Sequence, residues 1–520
     1  MKAELAINEL DAVPESARGG VPLHNRARQG RPPRVWEDSK LPPPRLGDWP
    51  RSSETFVAAY DARRTTPERV TSRVLEAARD LDARSPRMTV LVELAEDDAR
   101  SDAEASADRY RSGVPRGPLD GVCVAIKEQT AVRGMATRAG TGFLPRTPEA
   151  ADSTVARRLR EAGAIIVGTT PMTEYGMTPL GFNPNRSMPK NPHDTGHVAG
   201  GSSTGSGVAV ATGLVPIAIG ADGGGSIRIP AALNGIFGIK PTWGRVSRAG
   251  DISGGSVAHL GPLACCTLDL ARTLEVIGAP DPLDPETSHA PPIPNGSLVR
   301  ALSRGVRGLK IGVCDTEWAD ASHHVASAGK QAISALEKDG ARVVPLKLDL
   351  ARFAPAIGYL AISLEARGAL RSAWKEHADD MSADLQITMA ILAQLSAVDY
   401  VDSQRLREGL RAEIAKALLE VDVLVLPTTV DVATHATADH MESGFLDPQA
   451  LAGLCRFNFL GNLTGLPAAS VPIGMHNGLP IGFQILGDAF DEATVLAVSA
   501  HLERLEVARA QRPKVFVDVL

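Results

Sequence analysis

From Ser52 onward the hydrophobic positions follow two rhythms. Ser53-Glu-Thr-Phe-Val-Ala-Ala-Tyr60 and Thr66-Pro-Glu-Arg-Val-Thr-Ser-Arg-Val-Leu75 repeat apolar residues at helical spacing. Thr66 supplies a cap, and Pro67 takes the first helical position, where its missing N–H goes unmissed. Ala95–Arg111 is so densely charged that it predicts an exposed helix, whereas Val122-Cys-Val-Ala-Ile126 is a continuous apolar run suited to a buried strand. Ser153–Ala162 predicts a helix and Ala164-Ile-Ile-Val167 the strand after it. Further strands are predicted at Leu309–Val313, Ala341–Leu346, Val421–Leu426 and Ile481–Leu486. Helical patterns lie near Leu268–Ile277, Val325–Lys338, Arg405–Leu419 and Glu492–Leu505. This alternation predicts a layered α/β fold with much parallel sheet.

Residues 1–51 break the rhythm. They carry Pro32, Pro33, Pro42, Pro43, Pro44 and Pro50 with Trp36 and Trp49 between them, a composition that resists helix and sheet. The stretch reads as an extended surface arm anchored by its tryptophans, or as a lid or strap joining two copies in a homodimer. The Pro- and Asp-rich loop near Pro280–Pro294 could bound a subdomain, but no long linker splits the chain and no internal repeat is seen.

Composition narrows the classes. With 520 residues, 43% hydrophobic and 22% charged, the chain can bury a large core and reads as soluble and globular. A net charge of -6 without Lys/Arg blocks argues against a nucleic-acid partner. The 5 cysteines are few, odd in number and mostly set in apolar segments, which fits reduced thiols in a cytoplasm. There is no CxxC for a zinc ribbon, and the N-terminus lacks the apolar core of a secretory signal. The run Val208–Ala221, broken by Gly213 and Pro216, is too short to span a bilayer, so no membrane partner is expected.

The candidate chemistry sits in two glycine-rich stretches. One reads Gly200-Gly-Ser-Ser-Thr-Gly-Ser206, the other Ala221-Asp-Gly-Gly-Gly-Ser-Ile-Arg-Ile-Pro230. Ser226 follows three glycines, whose successive N–H groups would form an oxyanion nest beside a nucleophilic hydroxyl, an arrangement suited to acyl transfer. The plain alternative is a serine capping a helix after a glycine turn. A serine nucleophile needs a base. His259 and His197 are the best placed of the 12 histidines, though each also reads as an ordinary loop residue. Lys127 ends the strand at Val122–Ile126, where desolvation would lower its pKa, although most such lysines reach solvent. Weaker signals are the elbow-like Gly201-Ser-Ser203-Thr-Gly205, which lacks a preceding strand, and Ser187-Met-Pro-Lys190, where Pro189 opposes the aligning helix. The pairs His193/His197 and His435/His440 lack a third ligand, so no metal is expected, and Gly205-Ser-Gly207 lacks the last glycine of a dinucleotide fingerprint.

Taken together, Lys127 at a strand end, Ser202-Ser203 in a glycine loop and Asp222-Gly-Gly-Gly-Ser226-Ile-Arg228-Ile-Pro230 resemble the amidase signature family. The spacing fits as well: 75 residues from Lys127 to Ser202 and 24 from there to Ser226. Phe237-Gly-Ile-Lys-Pro-Thr242, Gly261-Pro262, Asn462-Leu-Thr-Gly-Leu-Pro467 and Gly478-Leu-Pro-Ile-Gly-Phe-Gln484 resemble further family landmarks, and the resemblance covers about residues 52–510. It implies an amidase signature domain over 52–520 behind a 1–51 extension, built on a mixed, mostly parallel central β-sheet with α-helices on both faces. It implies a Ser–cis-Ser–Lys triad of Ser226 as nucleophile, Ser202 as bridge after a cis peptide, and neutral Lys127 as base. Gly223, Gly224 and Gly225, with the Ser226 N–H, would form the oxyanion hole; Ser203, Asp222 and Arg228 would support the turn. No cofactor is implied. The expected activity is cleavage of a C–N bond in a small or aryl amide, a carbamate, a urea or an ester. Met172, Met177, Leu180 and Phe182 read either as an apolar substrate pocket or as core. The rival readings are the glutaminase component of a glutamyl-tRNA amidotransferase (its A-type chain), which would release ammonia from glutamine inside a complex, and an inactive scaffold. Departures from the family pattern at Cys123, Glu128, Thr204 and Gly223 touch loop detail and the surroundings of the lysine.

Overall fold

The computed structural model describes residues 51–437 and 447–520, together with Glu9, Leu41 and Trp49. Most of the proline-rich extension, Trp36 included, and His440 lie outside the described residues. Trp49 packs edge-on against Phe516, ring centroids 5.1 Å apart, and Arg51 pairs with Asp518 at 2.9 Å.

Eleven strands form one sheet: β1 Glu93–Leu94, β2 Cys123–Lys127, β3 Ile165–Thr170, β4 Ile217–Asp222, β5 Phe237–Lys240, β6 His259–Ala264, β7 Lys310–Val313, β8 Arg342–Pro345, β9 Val423–Pro427, β10 Ala468–His476 and β11 Leu479–Gly487. Their order is β1-β3-β2-β4-β6-β5-β10-β11-β9-β7-β8. The sheet is mixed, as expected, but it is not mostly parallel. Four pairings are parallel (β2 with β3 and β4; β7 with β8 and β9) and six are antiparallel. The reason lies in the connections. A parallel pair needs a crossover, and helices Thr154–Glu161 and His323–Lys338 supply it for β2–β3 and β7–β8. β10 and β11 instead join through Asn477-Gly478, with φ of 50° and 80°, the left-handed pair that a two-residue hairpin requires.

Alternation along the strands explains the layers. In β2, Val124 and Ile126 enter one core with Val155 and Leu159 of helix Thr154–Glu161 and Leu270 and Leu274 of helix Thr267–Ile277. Cys123 and Ala125 point the other way, to a second core with Val70, Val74 and Leu81 of helix Pro67–Ala83 and Val208 of helix Thr204–Ala211. In β9, Val423 and Val425 join the first core, and Leu424 and Leu426 join a third formed by helices Ala354–Ala369 and Ala397–Glu420. The cap predicted at Thr66 is present, accepting from Arg69 N, and Ser153, read as a helical residue, instead caps helix Thr154–Glu161 by accepting from Ala156 N. All five cysteines are buried and free, and among the described residues no helix is long and apolar enough to cross a membrane.

Candidate active site

The site forms where β2 and β4 end. These strands are parallel, so Lys127 and the turn after Asp222 emerge on the same edge of the sheet, the usual place for a ligand in such folds. Lys127 follows Ile126 and therefore projects to the face that helix Thr204–Ala211 covers. Its side chain is 0% exposed, and Nζ donates to Ser202 Oγ at 2.7 Å. Burial pushes the amine down to about 7, against the opposing pull of the Asp251, Asp222 and Glu128 carboxylates. An amine so placed is available as a free base near neutral pH.

Ser202 follows Gly201 through a cis peptide and stands just before helix Thr204–Ala211. Ser203 stitches that helix entry to the glycine turn. Its N–H donates to Ser226 O at 3.4 Å, its hydroxyl donates to Ala221 O at 3.1 Å, and it accepts from Ala221 N at 3.2 Å. The Ser203 hydroxyl is thus committed to the backbone, while its neighbours Ser202 and Ser226 line one cavity with Lys127. No hydrogen bond joins Ser202 to Ser226 among the described residues; only the Lys127–Ser202 link is closed.

The triple glycine needs one correction. Gly225 N–H donates to Asp222 Oδ1 at 2.7 Å, which removes it from the expected oxyanion donors. Gly225 is glycine for shape: its φ is +119°, and a Cβ there would lie 2.6 Å from Ile229 Cδ1. The N–H groups of Gly223, Gly224 and Ser226 have no hydrogen-bond partner among the described residues, so they form the available donor set.

Asp222 and Arg228 brace this turn from beneath. Arg228 is fully buried and donates to Asp222 through Nε at 3.0 Å and Nη2 at 2.9 Å. Burial alone would favour the neutral acid, but Arg228 and Asn462 hold the Asp222 carboxyl well below the usual carboxylate range. Asn462 Oδ1 and Gln484 Oε1 accept from Arg228 at 2.6 and 2.5 Å. Both residues lie in stretches that sequence singled out as landmarks without a role; their role is to hold Arg228. Glu128, where an aspartate is more usual, accepts from Arg186 at 2.8 Å and from Met172 N at 3.3 Å, and so positions the loop facing Lys127.

The other candidate bases and nucleophiles fall elsewhere. His259 Nδ1 lies 2.8 Å from Val257 O, and burial pushes the ring well below its ordinary range, so it stays neutral; it lines neither part of the cleft. His197 packs against His435 beside Asp194, also away from the cleft. Ser187 and Lys190 make no contact with the site. Two thiols and a carboxylate converge at Cys265, Cys266 and Asp269, within 4.8 Å of one another. Ser53 already donates to both Asp269 oxygens, and burial pushes both thiols up, Cys266 to about 11, so the cluster serves as an anchor for the first helix.

The cleft has two arms that meet at Ser226. One is walled by apolar side chains from helices Ala354–Ala369, Ala383–Leu392, Pro448–Cys455 and Phe459–Thr464, among them Tyr359, Leu360, Ile391, Leu392, Leu451 and Phe459. Among the described residues, none that lines it is charged. The other contains Lys127, Ser202, Gln129, Asp222 and Glu365. Met172 and Met177 line the cleft, whereas Leu180 and Phe182 belong to the core.

Comparison with known proteins agrees with this geometry. The amidase family model matches residues 73–496. The chain is 34% identical over 476 residues to a fatty acid amide hydrolase of Arabidopsis thaliana, covering 89% of this chain and 78% of the relative. It is also 34% identical over 464 residues to the A-type chain of the glutamyl-tRNA(Gln) amidotransferase of Chloroflexus aurantiacus, covering 84% and 93%. A solved bacterial aryl acylamidase of the amidase signature family shares 27% identity at a TM-score of 0.77, over 87% of this chain and 96% of that one. With a family match across most of its length, the chain belongs to the amidase signature family and is an amide hydrolase acting on carbon–nitrogen bonds.

Proposed function

We propose that the protein hydrolyses amides with an apolar acyl or aryl group through a serine acyl-enzyme. The observation that carries this reading is the hydrogen bond from fully buried Lys127 to Ser202, inside a cleft that Ser226 also lines. Ser226 Oγ attacks the carbonyl carbon. Its proton passes to Ser202, whose own proton goes to the free amine of Lys127. The carbonyl oxygen gains negative charge against the N–H groups of Gly223, Gly224 and Ser226. Ser202 then protonates the departing nitrogen, recovering a proton from Lys127, and the C–N bond breaks. Water, deprotonated by the same relay, attacks the acyl-enzyme and releases the acid. In this reading the Ser202–Ser226 hydrogen bond closes on substrate binding, as catalytic hydrogen bonds commonly do.

The uncharged arm supports the substrate class. A hydrocarbon or aryl group fits its walls, whereas free glutamine would bring two charges that nothing lining that arm can pair. The free, buried thiols fit a reducing compartment, and we place the enzyme in the cytoplasm.

The test uses the purified chain alone. It should turn over apolar acyl amides or anilides, react with a fluorophosphonate probe, and lose both properties in Ser226→Ala. Undiminished turnover in Ser226→Ala would overturn the mechanism. A preference for glutamine would overturn the substrate class in favour of the amidotransferase reading. Neither labelling nor turnover in the wild type would leave the inactive scaffold.

A further inference from the structure

The mechanism leaves one carboxylate of the cleft unused. Glu365, on helix Ala354–Ala369, lines the arm that holds Lys127 and Ser202. Its oxygens are fixed. Oε1 accepts from Ser256 Oγ at 2.6 Å and from Tyr400 OH at 3.1 Å, and Oε2 accepts from Ser256 N at 2.6 Å. Three donors fill three of its roughly four lone-pair sites and leave one for a ligand. Among the described residues no cation lies within salt-bridge distance of it. Arg407 reaches Ser256 Oγ and O at 2.6 and 2.9 Å, so its charge acts on Glu365 only across Ser256, and it does not line the arm.

The rest of that arm adds little opposing charge. Asp251 lies behind the lining, accepts from Gln129, Thr130 and Ser253, and acts on Lys127 through its charge. Asp222 is balanced by Arg228. Among the described residues Lys127 is the sole cationic side chain lining the arm, and burial brings it to about 7, so its charge is only partial at neutral pH. An arm with these walls attracts a cation.

The position of the arm decides which end of the substrate it meets. In the proposed mechanism Ser202 protonates the leaving nitrogen, so the leaving group must face the Ser202 and Lys127 wall while the acyl group fills the apolar arm. We infer that Glu365 selects amides whose leaving amine bears a second, cationic amino group: monoacylated diamines or polyamines. Resting on the proposed mechanism, this inference names the substrate class of the same site. The distal ammonium donates to Glu365; the reaction is the same hydrolysis, giving a carboxylic acid and a free diamine.

Three amides of one apolar acyl group test it, with 2-aminoethyl, 2-hydroxyethyl and carboxymethyl leaving amines. The wild type should favour the aminoethyl over the carboxymethyl amide in kcat/KM by about tenfold or more, the scale of a hydrogen bond to a charged group. That ratio should shrink as salt is added. Glu365→Gln should bring it toward unity, mainly through KM, as expected for loss of uniform binding. A wild-type ratio at or below one, or a preference that survives Glu365→Gln, overturns the inference. If Glu365→Gln fails to fold, the salt dependence of the wild-type ratio decides, and a salt-independent ratio overturns it. Ser226→Ala separates the two claims: turnover lost there but no amine preference sinks only the selectivity, whereas turnover retained there sinks the mechanism beneath it.

Discussion

Lys127 and Lys240 are the same residue in the same local setting, and they do different things. Each follows an isoleucine at the C-terminal end of an apolar strand, β2 or β5, and each points away from the core that its isoleucine enters. Both are 0% exposed, and burial depresses both amines, with the charge of Arg228 acting in the same direction on Lys240. What separates them is the acceptor and the space in front of it. Lys240 donates to the backbone carbonyls of Pro241 and Leu466 at 2.9 and 2.6 Å and lines neither arm of the cleft. A carbonyl only accepts, so the contact ends there, as a brace between β5 and the segment before β10. Lys127 meets a hydroxyl, which both accepts and donates, and that hydroxyl faces a cavity. Burial and a low pKa mark a lysine as unusual; a proton-passing partner beside open space marks it as chemical.

Matched substitutions are the strongest way to break that contrast. Lys127→Met should lower kcat by roughly a thousandfold or more, the scale of losing a general base that also activates the nucleophile, while the unfolding midpoint stays near wild type. Comparable activity in the two proteins would abolish the distinction. Lys240→Met should do the reverse. Two buried carbonyls lose their donor, so stability should fall by about 1–3 kcal/mol in denaturant titration, with kcat per folded molecule close to wild type. A smaller effect sharpens the role of Lys127 further. The proposed base must be uncharged to act, so kcat/KM should rise with pH and level off above about 7, falling close to tenfold for each unit below that inflection. A flat profile between pH 5 and 8 would contradict the assignment. The subtlest change is Asp251→Asn. Its carboxylate is the largest of the charges holding the Lys127 pKa up, so removing it should move the inflection to lower pH. Movement to higher pH would show that Asp251 acts on Lys127 by another route.

Sequence could not separate these lysines, because Ala-Ile-Lys and Gly-Ile-Lys differ in nothing that bears on function. The strand-end position offered Lys127 as a candidate base, but only the family resemblance set it above the reading as a solvated lysine. The serines were more legible, since glycine around a hydroxyl is a local signal. Even so, the glycines mislead in one respect: Gly225 spends its N–H on Asp222, a contact no spacing reveals. Several elements escaped periodicity altogether. Helix Thr204–Ala211 and strand β4 are buried all round, so no polar face distinguishes one from the other, and they read together as one broken apolar run. Strand β6 contains Gly261 and Pro262, which argue against a strand; the structure accepts Pro262 because pairing with β5 reaches only Leu263 and Ala264. Glu365 gave no signal, since a lone glutamate in a helix looks like solvated surface until its donors are in view.

The place of the β10–β11 hairpin carries a last consequence, for the order in which the protein is made. This hairpin lies mid-sheet, between β5 and β9, and so joins strands from the first half of the chain to strands from the second. Until residues 468–487 leave the ribosome, the nascent chain holds two unjoined half-sheets, each with a bare edge open to wrong partners. Gln484, which steadies Arg228 beneath the glycine turn, arrives with the same hairpin. Assembly of the sheet and support of the turn that carries Ser226 are therefore completed together, when that hairpin docks.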